Sequence, residues 1–219
     1  SDDAAKQLSC SWFIPRGEAN PAAEQIFQEM AIQGQSFFNA SGDHDAYTGL
    51  IDFPSDSPNI TQVGGTTLTT TGPGGARVSE TVWNRNNGTG SSGGISTQYP
   101  IPAWQTNIDM SANQGSSTMR NVPDVALAAE NIYVRVNGLD LRVGGTSAAA
   151  PLWAGFAALI NEEAAANGQP AIGFINPALN KLASSTNYSS LFFDITTGDN
   201  TKSMSPTNFF ATTGYDLCT

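Results

Sequence analysis

The stretch Gly144-Gly145-Thr146-Ser147-Ala148-Ala149-Ala150-Pro151, followed by the run LWAGFAALI at 152–160, decides how the chain is interpreted. The run is apolar all round, which is typical of a helix buried in a core. The two glycines allow a tight turn and the close approach of another backbone to Ser147. A helix N-terminus there offers unpaired N–H groups and the positive end of the helix dipole, which suit a developing oxyanion. A second interpretation stays open here: Thr146 or Ser147 only caps the helix.

The N-terminal part of the chain alternates between strand and helix patterns. A β-prone run covers 8–13, Asn20-Pro21 predicts a helix start, Gly34 a helix stop, and 36–40 a second strand. This alternation predicts an α/β fold in which helical crossovers join parallel strands. Loops at the carboxyl ends of such strands commonly carry the chemistry, and Asp43 stands at one of these ends.

The middle of the chain is rich in turn residues. From Pro54 to about Tyr99 it contains several glycine clusters, which predict loops. None of the clusters matches a phosphate-binding or dinucleotide-binding motif in its required setting. Further on, Asn137-Gly138 lies between the β-prone runs 133–136 and 141–143, which predicts a hairpin.

The composition restricts the class of protein. The 219 residues include 9 Lys+Arg and 19 Asp+Glu, a formal charge of −10 at pH 7. Neutralising phosphates needs clustered cations, so no nucleic-acid partner is expected. No apolar run is long enough to cross a bilayer, and no membrane partner is expected either. The length predicts a single domain spanning 1–219.

Cysteines and glycosylation sequons bear on the compartment. Cys10 and Cys218 can form one end-to-end bridge or stay as small buried residues, and the sequence leaves both open. Acidity, few lysines and four Asn-x-Ser/Thr sequons favour a secreted protein, the sequons being at Asn39, Asn59, Asn87 and Asn187.

Eight short pieces match one known family in the same order along most of the chain. They are FNASGD (38–43), SETVW (79–83), GGIS (93–96), PAWQ (102–105), RNVPDV (120–125), GGTSAAAPLW (144–153), FDI (193–195) and GYDLCT (214–219). The chain thereby resembles the sedolisins, serine-carboxyl peptidases of subtilisin-like fold, in a fungal style. The resemblance implies a mostly parallel sheet flanked by helices. It also implies that the chain is the larger C-terminal part of the catalytic domain and lacks the N-terminal strands and helices.

The resemblance assigns two catalytic roles. Ser147 occupies the position of the nucleophile, and Asp43 the position of the carboxyl group that stabilises the oxyanion. An aspartate can do this only while protonated, because an anion would repel the oxyanion. Acidic pH favours that state. Without Ser147, Asp43 would be interpreted as a turn residue after a strand.

The family's base is a glutamate oriented by an aspartate, on a helix well upstream of Asp43. Glu24 and Glu29 lie five residues apart and are interpreted as a solvated acidic face. Glu80 is interpreted as structural or cleft-lining, and His44, the only histidine, as a loop residue near the cleft. The dyad is therefore expected on a separate N-terminal chain of the same precursor, with a polypeptide as substrate.

The resemblance also implies one calcium ion near the C-terminus, held by oxygen ligands. The matching residues are Asp194 and Asp216 by carboxylate, and Ile195, Thr212 and Gly214 by main-chain carbonyl. The alternative is two surface aspartates beside turn glycines.

Three functions remain in competition. The first is an acid peptidase of sedolisin type, secreted or in a vacuolar, acidic compartment. The second is an inactive binding protein, for example carbohydrate-binding or storage-like, on a truncated sedolisin scaffold. The third, an esterase that uses Ser147 alone, ranks last because no base is visible.

Overall fold

The computed structural model describes residues 4–14 and 17–219. Within these ranges the strands are β1 (Gln7–Cys10), β2 (Ser36–Ala40), β3 (Thr61–Thr70), β4 (Arg77–Val82), β5 (Gly94–Pro100), β6 (Met119–Val122), β7 (Val125–Ala128), β8 (Ile132–Val136) and β9 (Leu139–Val143). The α-helices are α1 (Pro21–Ile32), α2 (Thr146–Ala166), α3 (Asn176–Ala183) and α4 (Tyr188–Leu191), and a 3-10 turn covers Ala103–Gln105.

The main sheet is mostly parallel, as predicted. Its strand order is β1-β2-β3-β4, and β7 also pairs with β3. The pairs β1–β2, β2–β3 and β3–β7 are parallel, whereas β3–β4 is antiparallel. Two small antiparallel pairs, β5–β6 and β8–β9, stand apart from this sheet. The α/β fold class predicted from the alternating pattern is therefore confirmed.

Helix α1 connects the parallel strands β1 and β2 as the sequence predicts. The Asn20 side chain accepts hydrogen bonds from the N–H groups of Ala22 and Ala23, which caps the helix. Gly34, with φ of +75°, lets the chain leave the helix and enter β2. The strand β2 has the predicted bounds, so Asp43 does stand beyond the carboxyl end of a parallel strand.

Helix α2 packs across the sheet and forms the centre of the core. It contacts β1, β2, β3 and β7. Ala149 and Ala157 are fully buried, and the ring of Trp153 stacks on that of Phe38, with centroids 6.4 Å apart. The indole N–H of Trp153 donates to the Ala126 carbonyl at 2.9 Å. The small residues thus lie against the sheet and allow close packing.

The prediction that α2 is buried all round is wrong for its outer face. Leu152, Phe156 and Leu159 are 42, 50 and 64% exposed. An apolar run reports hydrophobicity but not which face has a partner, and the described residues cover only the sheet side.

The region 54–99 is also more regular than its turn residues predicted, because it contains β3, β4 and β5. The glycines 64 and 65, interpreted as turn residues, lie inside β3. A Cβ at Gly64 would lie 2.8 Å from Pro123 Cγ, and one at Gly65 would lie 2.7 Å from Ala129 Cβ. Close approach of neighbouring elements, and not a turn, explains these two glycines.

The predicted hairpin is present, and the two cysteines do not form a disulfide bond. Asn137 and Gly138 adopt φ of 50° and 80° between β8 and β9, as a hairpin turn of this type requires. Cys10, partly exposed, and Cys218, buried, are both free thiols. No helix within the described ranges is long and apolar enough to cross a membrane.

Candidate active site

Ser147 is the second residue of α2 and is exposed at the helix N-terminus. Its carbonyl cannot receive the usual helical hydrogen bond from four residues on, because Pro151 has no N–H. The hydroxyl of Ser11, just beyond β1, donates to this carbonyl instead at 3.1 Å. The end of β1 is thereby attached to the backbone of the candidate nucleophile.

The turn into α2 requires glycine at position 145 for two reasons, its backbone conformation and its contact with Asp43. Its φ is +112°, and a Cβ there would lie 2.7 Å from Asp43 Oδ2. Its N–H donates to the Ala129 carbonyl at 2.7 Å, which fixes the approach to the helix. A side chain at this position would strain the backbone and displace Asp43.

Asp43 lies directly on the N-terminus of α2. Its Oδ1 accepts the N–H of Thr146 at 2.8 Å and lies 2.8 Å from the Thr146 hydroxyl. Gly145, the residue before the helix, has no side chain to cap it. The interpretation that Thr146 or Ser147 caps the helix is therefore wrong, because Asp43 supplies the cap from a distant part of the chain.

The segment 41–46, here called the Asp43 loop, is held by its backbone. His44 N–H donates to Ser92 Oγ at 2.9 Å, Asp45 N–H to the Gly90 carbonyl at 3.2 Å, and Ala46 N–H to the Asn200 carbonyl at 2.8 Å. The His44 side chain is exposed, as predicted for a loop residue near the cleft.

A second charged group beside the site escaped the sequence analysis. Glu130 accepts from the indole N–H of Trp83 and, at 3.0 and 2.8 Å, from Nε and Nη2 of Arg85. The hydrogen bond from Arg85 is the main reason that the pKa of Glu130 is lowered. Arg85 Nη2 lies 3.3 Å from the place where a Cβ at Gly144 would stand. The two partners are 45 positions apart in the sequence, so no local pattern reveals the pair.

A groove of about 400 Å³ opens beside Ser147. Apolar residues of the β8–β9 hairpin and of the start of α2 dominate its lining, which includes Ile132, Tyr133, Val143, Ala148, Pro151 and Leu152. Trp12, next to Ser11, is 83% exposed. The surface around Ser147 is therefore concave, mostly apolar and open to solvent.

No base faces Ser147 in the described part of the chain: no hydrogen bond joins its hydroxyl to a carboxylate or an imidazole. Glu80 is bonded to the Thr66 hydroxyl at 2.7 Å and lies 3.6 Å from Arg77, which fits the structural role predicted for it. Glu29 is exposed as expected.

The interpretation of Glu24 as part of a solvated acidic face is wrong. Its carboxylate is half-buried and accepts from Tyr99 OH at 2.9 Å, Ser57 Oγ at 3.0 Å and Asn59 Nδ2 at 3.1 Å. Three donors from distant parts of the chain satisfy this charge, which a helical periodicity does not reveal.

The residues predicted to bind calcium meet in one place. Asp194 Oδ1 accepts from Tyr188 OH at 2.8 Å, and both of its oxygens lie 3.1–3.2 Å from Gly214 N–H. Asp216 is 1% exposed and accepts from the N–H of Thr212 at 3.1 Å. Ile195 adjoins Asp194 and is buried.

The oxygen atoms of these five residues meet only some of the requirements of a calcium site. Within the described residues, no three or more His, Cys, Asp or Glu side chains group as a metal site would require. The carbonyl oxygens of Ile195, Thr212 and Gly214, however, receive no hydrogen bond from another backbone N–H there. Two carboxylates beside three free carbonyls are oxygen ligands that calcium accepts.

Comparison with known proteins places this geometry in context. The subtilase family matches residues 5–195. Kumamolisin from Bacillus sp. (strain MN-32) is 36% identical over 97% of this chain and 39% of its own length. Sedolisin from Pseudomonas sp. (strain 101) is 32% identical over 91% of this chain and 36% of its own length.

A solved structure of Pseudomonas sedolisin (serine-carboxyl proteinase), complexed with two molecules of pseudo-iodotyrostatin, is similar over the whole chain. The TM-score is 0.81 at 30% identity, and 62% of that structure is covered. Sphericase, at 18% identity and a TM-score of 0.53, shares the fold alone. The chain therefore corresponds to well under half the length of the two curated relatives.

Proposed function

Since the chain belongs to the subtilase family and resembles the sedolisins, we propose that it is the larger C-terminal part of a serine-carboxyl peptidase domain. Its substrate would be a polypeptide, cleaved at acidic pH. One observation carries the proposal: Asp43 Oδ1 lies 2.8 Å from the N–H of Thr146, the residue before Ser147. The nucleophile and the oxyanion stabiliser thus share one helix N-terminus.

In this proposal Ser147 Oγ attacks the carbonyl carbon of the peptide while its proton passes to a carboxylate base. The carbonyl π electrons move to the oxygen, and the oxyanion accepts a hydrogen bond from the protonated Asp43. The C–N bond then breaks, and the leaving amine takes the proton from the base. Water hydrolyses the resulting ester by the same sequence of transfers.

The hydrogen bonds of Asp43 indicate which oxygen would carry the proton. Oδ1 already faces the N–H and the hydroxyl of Thr146, which leaves Oδ2 as the donor. Oδ2 lies against Gly145, at the mouth of the turn that precedes Ser147. A glycine there leaves room for the oxyanion beside it.

The base would come from outside these 219 residues. Glu24 and Glu80 are bound to other groups, and Glu130 is paired with Arg85. We therefore assign the glutamate–aspartate dyad to an N-terminal part of the same precursor. The apolar outer face of α2, with Phe156 half exposed, is compatible with further chain packed against it.

Calcium forms a further part of the proposal. Asp194 and Asp216 would hold the ion by carboxylate, and Ile195, Thr212 and Gly214 by carbonyl. A bound ion would supply positive charge to the buried Asp216 and tie the C-terminal loop to the fold. Metal analysis after dialysis should return about one ion per chain, and a return of none would remove this assignment.

A secreted or acidic-compartment location is proposed with only two of the sequons as glycan sites. Asn39 is fully buried and donates to the Ala40 carbonyl at 2.8 Å, so it cannot carry a glycan in the folded protein. Asn59 is half-buried and bound to Glu24. Asn87 and Asn187 are exposed.

The test is hydrolysis of a denatured protein at about pH 4 by the native protein and by its Ser147→Ala variant. Removal of a serine nucleophile is expected to lower the rate by at least about 10³-fold. Ser190→Ala, an exposed serine on α4, is the matched control and should keep the wild-type rate.

Activity that survives Ser147→Ala would contradict the assignment of Ser147. The intact mass under denaturing conditions decides between the first two functions, the acid peptidase and the inactive binding protein. A second chain with a Glu and an Asp on one helix supports the peptidase. A single inactive species near 22.9 kDa would instead favour the non-catalytic binding protein.

A further inference from the structure

Asp45 lies in the Asp43 loop, two residues after Asp43, and is almost completely buried. It is 1% exposed and adopts a left-handed conformation with φ of +56°. Its carboxylate packs so closely on Gly90 that a Cβ there would collide with Oδ1. Neither oxygen has a hydrogen-bond partner in the described part of the chain. A buried carboxylate without donors is costly while it is ionised.

The charged groups around Asp45 do not offset this burial. Lys202 donates to the His44 carbonyl at 2.7 Å, and Asp199 is bonded to Thr201. Lys202 and His44 favour the ionised form of Asp45, whereas Asp199 opposes it. Burial outweighs the two cations and raises the pKa of Asp45 to about 6.

The backbone N–H groups at and beside Asp45, in contrast, all have acceptors. The N–H groups of residues 44, 45 and 46 all donate to neighbouring segments at 2.8–3.2 Å. The Asp43 carbonyl accepts from Gly90 N–H at 3.2 Å. The closed loop therefore bonds these backbone groups but accommodates Asp45 better as a neutral acid than as a carboxylate.

We propose that Asp45 is a positioning residue for Asp43: its neutral form keeps the Asp43 loop closed on Thr146, and its ionisation opens the loop. In the open state the Asp45 carboxylate reaches water and the segment that carries Asp43 leaves Gly90, so loss of the proton shifts the loop towards this state. The Asp43 carboxyl then leaves the N-terminus of α2. The catalytic meaning rests on the function proposed above, but the loop motion does not.

Linkage fixes the direction and the pH window. The pKa of Asp45 rises from 3.8 in the open state, where it is exposed, to about 6 in the closed state. The closed loop is then fully favoured below about pH 4 and loses about tenfold per pH unit between pH 4 and 6. Above about pH 6 both states are ionised, and the ratio levels off about 100-fold lower.

Hydrogen exchange of the Thr146 amide, which donates to Asp43, measures this closure directly. In the wild-type chain its protection factor, corrected for the intrinsic exchange rate, should fall about 100-fold from pH 4 to 6.5 and then stay constant. Asp45→Asn and Asp45→Gly are neutral at every pH, and both residues tolerate a left-handed backbone. In both variants the protection factor should be independent of pH.

Asp56→Asn is the matched control. Asp56 is also fully buried, and burial also raises its pKa to about 6, but it lies outside the Asp43 loop. This variant should keep the wild-type pH dependence at Thr146. A flat wild-type profile, or the same slope in both Asp45 variants, would overturn the inference.

Two further measurements keep the inference testable whatever the variants do. The ¹³C resonance of the Asp45 carboxyl in the wild-type chain should titrate near pH 6, and a midpoint below pH 5 would overturn the proposal. In activity assays, both proteins still need the protonated Asp43, so the ratio of the Asp45→Asn rate to the wild-type rate should rise between pH 4 and 6. Activity with flat exchange defeats this inference alone, whereas pH-dependent exchange without activity defeats only the proposed function.

Discussion

Asp45 and Asp216 are buried to the same extent and yet are held in opposite ways. Each is 1% exposed, and burial raises the pKa of each to about 6. Asp216 accepts from Cys218 N–H at 2.8 Å, Thr219 N–H at 3.0 Å and Thr212 N–H at 3.1 Å. Asp45 accepts from none of the described residues. At equal burial, the carboxylate of Asp216 is stabilised because several backbone N–H groups donate to it. The carboxylate of Asp45 is not, because it has no such donors.

The largest expected effect is the loss of stability when the Asp216 carboxylate is removed. Asp216→Ala leaves several buried N–H groups without an acceptor, so the free energy of unfolding at pH 7 should fall by about 3–4 kcal/mol. Asp45→Ala removes a carboxylate that has no partner and is costly to bury once ionised, so the free energy of unfolding at pH 7 should not fall and should rise by up to about 3 kcal/mol. Urea denaturation in the presence of EDTA measures both without a contribution from metal. Equal losses in the two variants would erase the contrast.

A smaller effect is expected at Asp56, whose number of hydrogen-bond donors lies between those of Asp216 and Asp45. Ser96 Oγ donates to one of its oxygens at 2.6 Å, and the other oxygen has no partner among the described residues. Burial raises the pKa of Asp56 from 3.8 to about 6. Its contribution to stability is therefore present below about pH 4 and is lost as the pH rises through 6. Two pKa units correspond to about 3 kcal/mol.

Urea denaturation at pH 4 and at pH 7 checks this contribution. The fall in unfolding free energy between the two pH values should be about 3 kcal/mol smaller in Asp56→Asn than in the wild type. Ser96→Ala, which removes the hydroxyl that donates to Asp56, should enlarge the fall. An unchanged pH dependence in Asp56→Asn would show that Asp56 is ionised without penalty.

The smallest effect concerns Asp43, whose Oδ1 caps α2 from outside the helix. Asp43→Ala should lower the free energy of unfolding by about 1–2 kcal/mol, as the loss of a cap does. Asp43→Asn keeps an acceptor oxygen and should lose less than about 0.5 kcal/mol. Thermal melting at pH 5 measures both. Identical melting temperatures for the alanine and asparagine variants would mean that the cap contributes nothing.

Local signals predicted the elements that are built from neighbouring residues. The Asn20 cap, the bounds of β2 and the Asn137-Gly138 hairpin depend on residues within a few positions of one another. The proximity of Asp43 to Ser147 came from the resemblance, which carries spatial information that periodicity lacks. The structure brings Asp43 to the helix N-terminus that carries Ser147, and no single sequence pattern predicted that contact.

The misses depend on partners far away in the chain. Glycines inside β3 were taken for turns because the colliding atoms, on Pro123 and Ala129, belong to distant segments. The partners of Glu24 and the pairing of Arg85 with Glu130 have no local pattern for the same reason. The outer face of α2 was predicted to be buried because hydropathy does not say whether a covering element lies within the described residues.

Pro151 leaves the Ser147 carbonyl without its helical hydrogen bond, and this affects the position of a tryptophan that fluorescence can observe. Because the Ser11 hydroxyl donates to the Ser147 carbonyl, the adjoining Trp12 is kept near the start of α2 although it is 83% exposed. The other three tryptophans, Trp83, Trp104 and Trp153, are buried or half-buried. Acrylamide, which quenches tryptophan emission on collision, should therefore act mainly on Trp12. A ligand that covers Trp12 should lower this quenching and so report binding near Ser147 without a label and without turnover.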